Sequence, residues 1–301
     1  MPDTMDVFDR RMVRRHRERA VPAFDSHNFL LREISARFGE RILDITREFP
    51  LVLDLGCHDG TLGRALNGHP RIGRLVQCDL SHAMAQRTGD LALVADEEAL
   101  PFAAESFDAV LSALTLHWVN DLPGTLAQIN RCLKPDGLFL AAMLGGETLS
   151  ELRRCLLDAE VELEGGASPR VSPFVDIRDA GALLQRAGFA LPVADSEQIV
   201  VRYRDAFALM RDLRGMGEAN ALMSRRKTFT RRSTLFRAAE FYAERFARPD
   251  GRIDATFYIV TLTGWRGHTG QQQPLRPGSA AARLADALGT TERPAGEKAG
   301  R

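Results

Sequence analysis

LVLDLGCHDGTLG, residues 51–63, is an apolar run that closes on an acid, Asp54, and breaks into Gly56, His58 and Gly60. The run predicts a short buried strand, and TLGRALNG after it predicts a helix ending at a glycine. A turn that opens a helix points backbone N–H groups at an anion or polar ligand. Spacing then separates the ligand classes. A dinucleotide fingerprint needs glycine at 58 and 61, where this chain has His58 and Thr61. No Gly-Lys-Ser/Thr follows, so a phosphate-binding P-loop is excluded. The pattern that fits is D-x-G-x-(G)-x-G, with Asp54, Gly56 and Gly60 in place and His58 substituted. Histidine tolerates positive φ better than most residues, so His58 reads as a turn residue. A direct ligand contact is the alternative for it.

Strand and helix patterns alternate outward from this turn. RLVQCDL, LALVADE, FDAVLSALTL and PDGLFLAAML are further buried strands, separated by HAMAQRTG and LPGTLAQINRCLK as helices. Buried strands alternating with helices predict a doubly wound parallel sheet of the α/β class. Upstream, residues 5–20 read as a basic helix. Residues 28–46 read as an amphipathic one carrying Leu30, Leu31, Ile34, Phe38, Ile42 and Leu43 on one side. Downstream of Gly146, ETLSELRRCLLDAEVEL and DAGALLQRAGF are helical, while DSEQIVVRY and ATFYIVTLTGW complete seven strands. The helical stretch 205–248 between those last two is too long for a hairpin and is expected as an insertion over the sheet edge. The expected organisation is a helical arm over 1–46, an α/β domain over 47–268, and a flexible tail over 269–301, rich in Gln, Pro, Gly and Ala.

The bulk numbers agree with a soluble globular chain. Its 301 residues are 45% hydrophobic and 27% charged. The 40 basic and 40 acidic residues balance, so no overall field recruits nucleic acid or a membrane. Cys57, Cys78, Cys132 and Cys155 form no C-x-x-C pair and lie in or near apolar runs, so reduced, buried thiols are expected and zinc is not. No run has transmembrane length. The N-terminal arginines are interleaved with Asp3, Asp6, Asp9 and Glu18, unlike an acid-poor organelle leader. A bacterial cytoplasm is therefore expected, with the mitochondrial matrix as the alternative. RRKTFTRR, residues 225–232, reads as a solvated face or else as a protein docking site.

The first turn resembles the first motif of class I S-adenosylmethionine (SAM) methyltransferases, a family with a Rossmann-like, mostly parallel seven-stranded sheet. Asp79, at the end of the second strand, is placed to accept from ribose hydroxyls, as an acid does in dinucleotide folds. The resemblance implies an adenine contact at Asp96, in ADEEALPF. It extends the cofactor set to Cys57, Leu80 and Glu97 beside Asp54, Gly56, His58 and Gly60. His117-Trp118 after the fourth strand resembles two branches: the malonyl-carrier-protein methyltransferases of biotin synthesis and the complex I assembly factors known as arginine hydroxylases of an iron–sulfur subunit. EGGASPRVSPF, RDLRGMGEANA, DGRIDATFYIVTLTGW and QPLRPGSA look like the second branch, and the likeness runs from about Val7 to about Ala280. His58 departs from it, since glycine is usual there.

Residue chemistry goes part of the way to a function. His117 reads as a general base or as a structural histidine, and Trp118 as core or as a pocket wall. An arginine substrate needs a carboxylate, for which Glu147 and Glu218 are the candidates, and the chemistry is expected around His117, Trp118 and Glu147. No 2-His-1-carboxylate set is readable, so hydroxylation is implied by resemblance alone and no metal is expected. The expected function is a SAM-binding enzyme that modifies a complex I subunit as its protein partner. A carrier-protein or small-acid methyltransferase and a non-catalytic assembly chaperone are the alternatives.

Overall fold

A computed structural model describes residues 6–89, 91–172, 177–268, 270 and 283–291, without the side chains of 178 and 284. Seven strands form one sheet: β1 (Phe49–Leu55), β2 (Ile72–Asp79), β3 (Ala92–Val94), β4 (Phe107–Ala113), β5 (Leu133–Leu144), β6 (Phe189–Tyr203) and β7 (Ile253–Arg266). Their order is β3-β2-β1-β4-β5-β7-β6. The first five run parallel, and β7 pairs antiparallel with both β5 and β6. Strand order reverses between β1 and β4, the place where such sheets open a ligand crevice at the carboxyl ends of the strands.

Side-chain alternation divides the core into two layers. In β5, Leu138, Leu140, Ala142 and Leu144 face one layer, and Phe139, Ala141 and Met143 face the other. The second layer is closed by α6 (Leu122–Cys132) through Leu126 and Ile129, and by α8 (Ile177–Arg186) through Ala180 and Leu184. Asp121 starts α6 by accepting from Gly124 N at 2.8 Å. The first layer is closed by α3 (Phe29–Leu43), α7 (Ser150–Glu164), α9 (Ala206–Met216) and α10 (Arg232–Phe246). Leu43, expected on the apolar side of α3, is its last residue and is exposed. The short helices α4 (Thr61–Ala65) and α5 (His82–Ala85) follow β1 and β2.

The placement of 205–248 corrects the expectation of an edge insertion. Leu209, Leu213, Ala238, Phe241 and Tyr242 share one cluster with β5 and β7, so α9 and α10 lie on the sheet face. Their apolar stripes need burial on both the sheet and α7, which an edge cannot supply. The N-terminal helices α1 (Arg10–Ala20) and α2 (Phe24–His27) fall in the same compact unit, Met1–Gly267. Helix α1 begins at Arg10 because Asp9 caps it and Phe8 bridges to Leu222. The other unit, His268–Arg301, is described at few residues, with a one-turn helix α11 (Leu284–Ala287). Most of the 269–301 tail, with QPLRPGSA, lies outside the described residues. Among the described residues, no helix is long and apolar enough to cross a membrane.

Candidate cofactor and acceptor site

The turn after β1 is built for close approach. Gly56 N and Cys57 N both donate to Cys78 O, at 2.8 and 2.9 Å, which ties the turn to β2. Gly56 has φ +72°, and a Cβ there would meet the Thr115 side chain at 2.3 Å, so only glycine fits. Gly60, at φ +80°, precedes the first turn of α4. His58 adopts φ +50° and is buried. Its Nε2 lies 3.2 Å from Ala113 O, Leu114 O and Thr115 Oγ1, and its ring stacks on Phe24 at 5.9 Å. His58 thus does more than tolerate the turn, since it links the turn to the end of β4. Burial holds its pKa below the usual imidazole value, and the neighbouring Arg17 adds to this. Cys57 is a buried thiol whose pKa burial raises.

Three carboxylates gather at the strand ends, together with two arginines that no sequence motif pointed to. Asp79 Oδ1 accepts from Ser81 N at 2.7 Å, and its Oδ2 accepts from His58 N at 3.1 Å and Arg17 Nη1 at 3.0 Å. The same Nη1 donates to Glu97 Oε1 at 3.0 Å. Arg10 pairs with Glu97 and with Asp96 Oδ1, the latter at 2.7 Å, and donates to Trp118 O at 3.2 Å. Burial alone would raise the Glu97 pKa, but Arg17 and Arg10 overcome it and hold the carboxyl below its ordinary range. Leu80 packs beside Phe8, Val13 and Trp118. A signal for the arginines was present in the sequence: Arg10, Val13, Arg17 and Ala20 recur at three- and four-residue steps on one helix face.

Asp54 lies deeper. It accepts from Gln77 Nε2 at 3.0 Å, and its buried Oδ1 has no hydrogen-bond partner among the described residues. Burial pushes its pKa up to about 7. A glycine turn with no room for a side chain, an unpartnered buried carboxylate oxygen and acids at successive strand ends form a donor set that fits an adenosine cofactor.

His117 and Trp118 sit in a short 3-10 turn after β4 and converge on Glu218. Glu218 Oε2 lies 3.0 Å from His117 Nε2 and accepts from Trp118 Nε1 at 2.9 Å. Gly217, left-handed at φ +84°, ends α9 and positions the following Glu218, whose N–H returns to Leu213 O at 2.9 Å. Burial would raise the Glu218 pKa, but the adjacent His117 outweighs it and the net shift is downward. Glu218 and Trp118 border a chamber of about 400 Å³. Leu144, Leu149, Leu152, Leu156 and Met210 form apolar wall, and His16, Arg19, Arg170 and Arg214 also line it. Glu147 is not brought to this group. The turn around it runs through Gly146 at φ +50° and Leu149 at φ +54°. Thr148 is the buried member, bonded to Gly145 O at 2.8 Å and Tyr258 O at 3.0 Å, and Glu147 is left exposed. Among the described residues, no cluster of His, Cys, Asp and Glu is arranged to hold a metal ion.

A methyltransferase domain family matches residues 53–141, which hold the turn, the carboxylates and His117-Trp118. Over 289 residues the chain is 43% identical to "Arginine-hydroxylase NDUFAF5, mitochondrial" of Danio rerio, covering 94% of this chain and 89% of that protein. The human protein of the same name is 43% identical over 93% of this chain and 82% of its own length. A malonyl-[acyl-carrier protein] O-methyltransferase of Methylovorus sp. (strain MP688) is 34% identical over 86% of this chain and 90% of its own. Among solved structures, the YcgJ protein of Bacillus subtilis superposes with a TM-score of 0.54 at 15% identity, over 78% of this chain and 99% of that one. At that identity the likeness speaks to the fold, a methyltransferase-type doubly wound sheet.

Proposed function

We propose a function from the premise that this chain belongs to the methyltransferase-domain family of the NDUFAF5 arginine hydroxylases, in which malonyl-carrier methyltransferases are its more distant relatives. It binds SAM at the β1 turn, Asp79 and Asp96, and modifies an arginine on an iron–sulfur subunit of respiratory complex I during assembly. Hydroxylation is the modification the relatives are named for, and methylation is the alternative. When bound, SAM supplies a methyl group already activated on a sulfonium.

The observation that carries this reading is Glu218. Its Oε2 is held by His117 and Trp118, while Oε1 accepts no hydrogen bond from the described residues. A carboxylate oriented by two donors at an apolar chamber suits a guanidinium, which binds it by charge-assisted bonds. The apolar walls exclude water and strengthen that attraction. His117, set against Glu218 through Nε2, is the general-base candidate beside it.

Mass spectrometry of the iron–sulfur subunit, from cells with and without this gene, tests the proposal. A gain of one oxygen or one CH₂ on an arginine supports it and tells the two modifications apart. No mass change together with failed complex I assembly leaves a chaperone role instead. Glu218→Gln should reduce the modification roughly 30- to 150-fold, the loss of a charge-assisted bond worth ~2–3 kcal/mol. An unchanged yield removes Glu218 from the acceptor site. One observation favours the carrier-protein reading: Arg19 and Arg214 line the same chamber, exposed and with no ion pair among the described residues, which suits a carboxylate acceptor. Biotin auxotrophy on deletion would select it.

A further inference from the structure

The guanidiniums of α1 stand where a cofactor's ribose and adenine contacts belong. Arg17 is 2% exposed, and the Asp79 carboxylate it reaches is 0% exposed. Asp79 already accepts three donors, Ser81 N on Oδ1 and both His58 N and Arg17 on Oδ2, of the about four its carboxylate can take. A second ribose hydroxyl finds no acceptor there until Arg17 withdraws. Arg10, two turns earlier on the same helix face, occupies Asp96 and Glu97 in the same way.

The same helix shapes the acceptor chamber. His16 and Arg19 line it. Phe8 meets the Trp118 ring edge-on at 5.3 Å, and Arg10 holds Trp118 O. We propose that α1 is an internal competitor for the cofactor: Arg17 and Arg10 occupy the strand-end carboxylates in the cofactor-free chain, cofactor entry displaces them, and their displacement reshapes the acceptor chamber. This rests on the reading of Asp79 as the ribose carboxylate.

Two physical points make the exchange reasonable. Asp79 and Glu97 are buried acids, and leaving them uncompensated is expensive, at several kcal/mol for each buried charge. Arg17 and Arg10 supply that countercharge, and the ribose and adenine donors of a cofactor with net positive charge would replace their hydrogen bonds and part of their charge. Of the 11 residues of α1 only Val13 and Ala20 are buried apolar ones, so the helix is held chiefly by its arginine pairs. Lifting it therefore exposes little apolar surface. A device of this kind links the two sites reciprocally, so an acceptor that shifts α1 also changes cofactor affinity.

Calorimetric titration of the full chain with SAM, alongside hydrogen exchange of residues 10–20, tests the competition. Arg17→Gln should bind SAM about tenfold more tightly, a difference of ~1.4 kcal/mol. In the unaltered chain, SAM should lower amide protection across 10–20. Binding by Arg17→Gln alone would be the strongest support. If the unaltered chain binds SAM and loses it on Asp79→Asn, yet Arg17→Gln binds no more tightly and protection of 10–20 holds or rises, the competition is overturned and the cofactor reading stands. If neither the unaltered chain nor Arg17→Gln binds SAM, both fall. Should Arg17→Gln fail to fold, the exchange experiment on the unaltered chain decides alone.

Discussion

Asp54 shows how burial without a countercharge sets a pH dependence. Gln77 is its one side-chain hydrogen-bond partner, and burial, with Asp79 and Asp59 nearby adding to it, pushes its pKa to about 7. Between its unfolded value, roughly 4, and about 7, the folded chain holds a proton that the unfolded chain releases. Stability drawn from Asp54 is therefore present at low pH and lost as pH rises through that window. Asp54→Asn cannot titrate, so its stability relative to the unaltered chain should climb between pH ~4 and ~7 and level off above. Urea midpoints across the range measure this, and a flat difference would mean that Asp54 ionises normally. At this scale the sequence was informative about residue type. It marked Asp54, Gly56 and Asp79, and it favoured Glu147 over Glu218 as the acid beside His117 and Trp118. The two acids differ only in how their turns project them, which the residues alone do not encode.

The α7–α10 pair illustrates which contacts hold an element. Tyr242 on α10 is fully buried, and its hydroxyl donates to Asp254 O at 2.8 Å. At the exposed fringe of the same pair, Arg245 meets Asp158 and Arg237 meets Glu162. Exposed pairs contribute little after screening and side-chain ordering. Tyr242→Phe removes this bond and should cost about 1 kcal/mol. Arg245→Ala should leave the denaturation midpoint unchanged. Chemical denaturation of the two variants checks the contrast, and equal losses would contradict it. Both helices were readable from apolar periodicity. Their partners were not, because a stripe specifies that it must be covered and not by what. Helix α1 is the sharper case, since its periodic face carries Arg10 and Arg17 as well as Val13 and Ala20.

At the scale of the molecule, helices from opposite ends of the chain share one layer. Leu209 of α9, Phe38 of α3 and Leu140 of β5 are buried in a single cluster. A cavity at Leu209 should therefore weaken the sheet as well as the inserted helices. Leu209→Ala is expected to cost about 2–5 kcal/mol and to keep unfolding as one transition. Coincident far-ultraviolet dichroism and Trp265 fluorescence curves would bear this out. An early, separate loss of helix would show the insertion to be an independent body. The seven strands followed from alternating buried runs and turn signals. The lay of α9 and α10 on the sheet face did not, because sequence order gives no distance to the sheet.

By itself the sequence determined the α/β alternation, the glycine turn and the acids at the strand ends. Each depends on backbone sterics and hydrophobic period within a few residues of itself. Only the tertiary structure set Arg17 against Asp79, 62 residues away, and Glu218 against His117, 101 residues away. Such pairs form when packed helices carry side chains from distant segments into one low-dielectric space, where an unmatched charge is too costly to leave. That requirement turned an arginine-rich helix into part of the site.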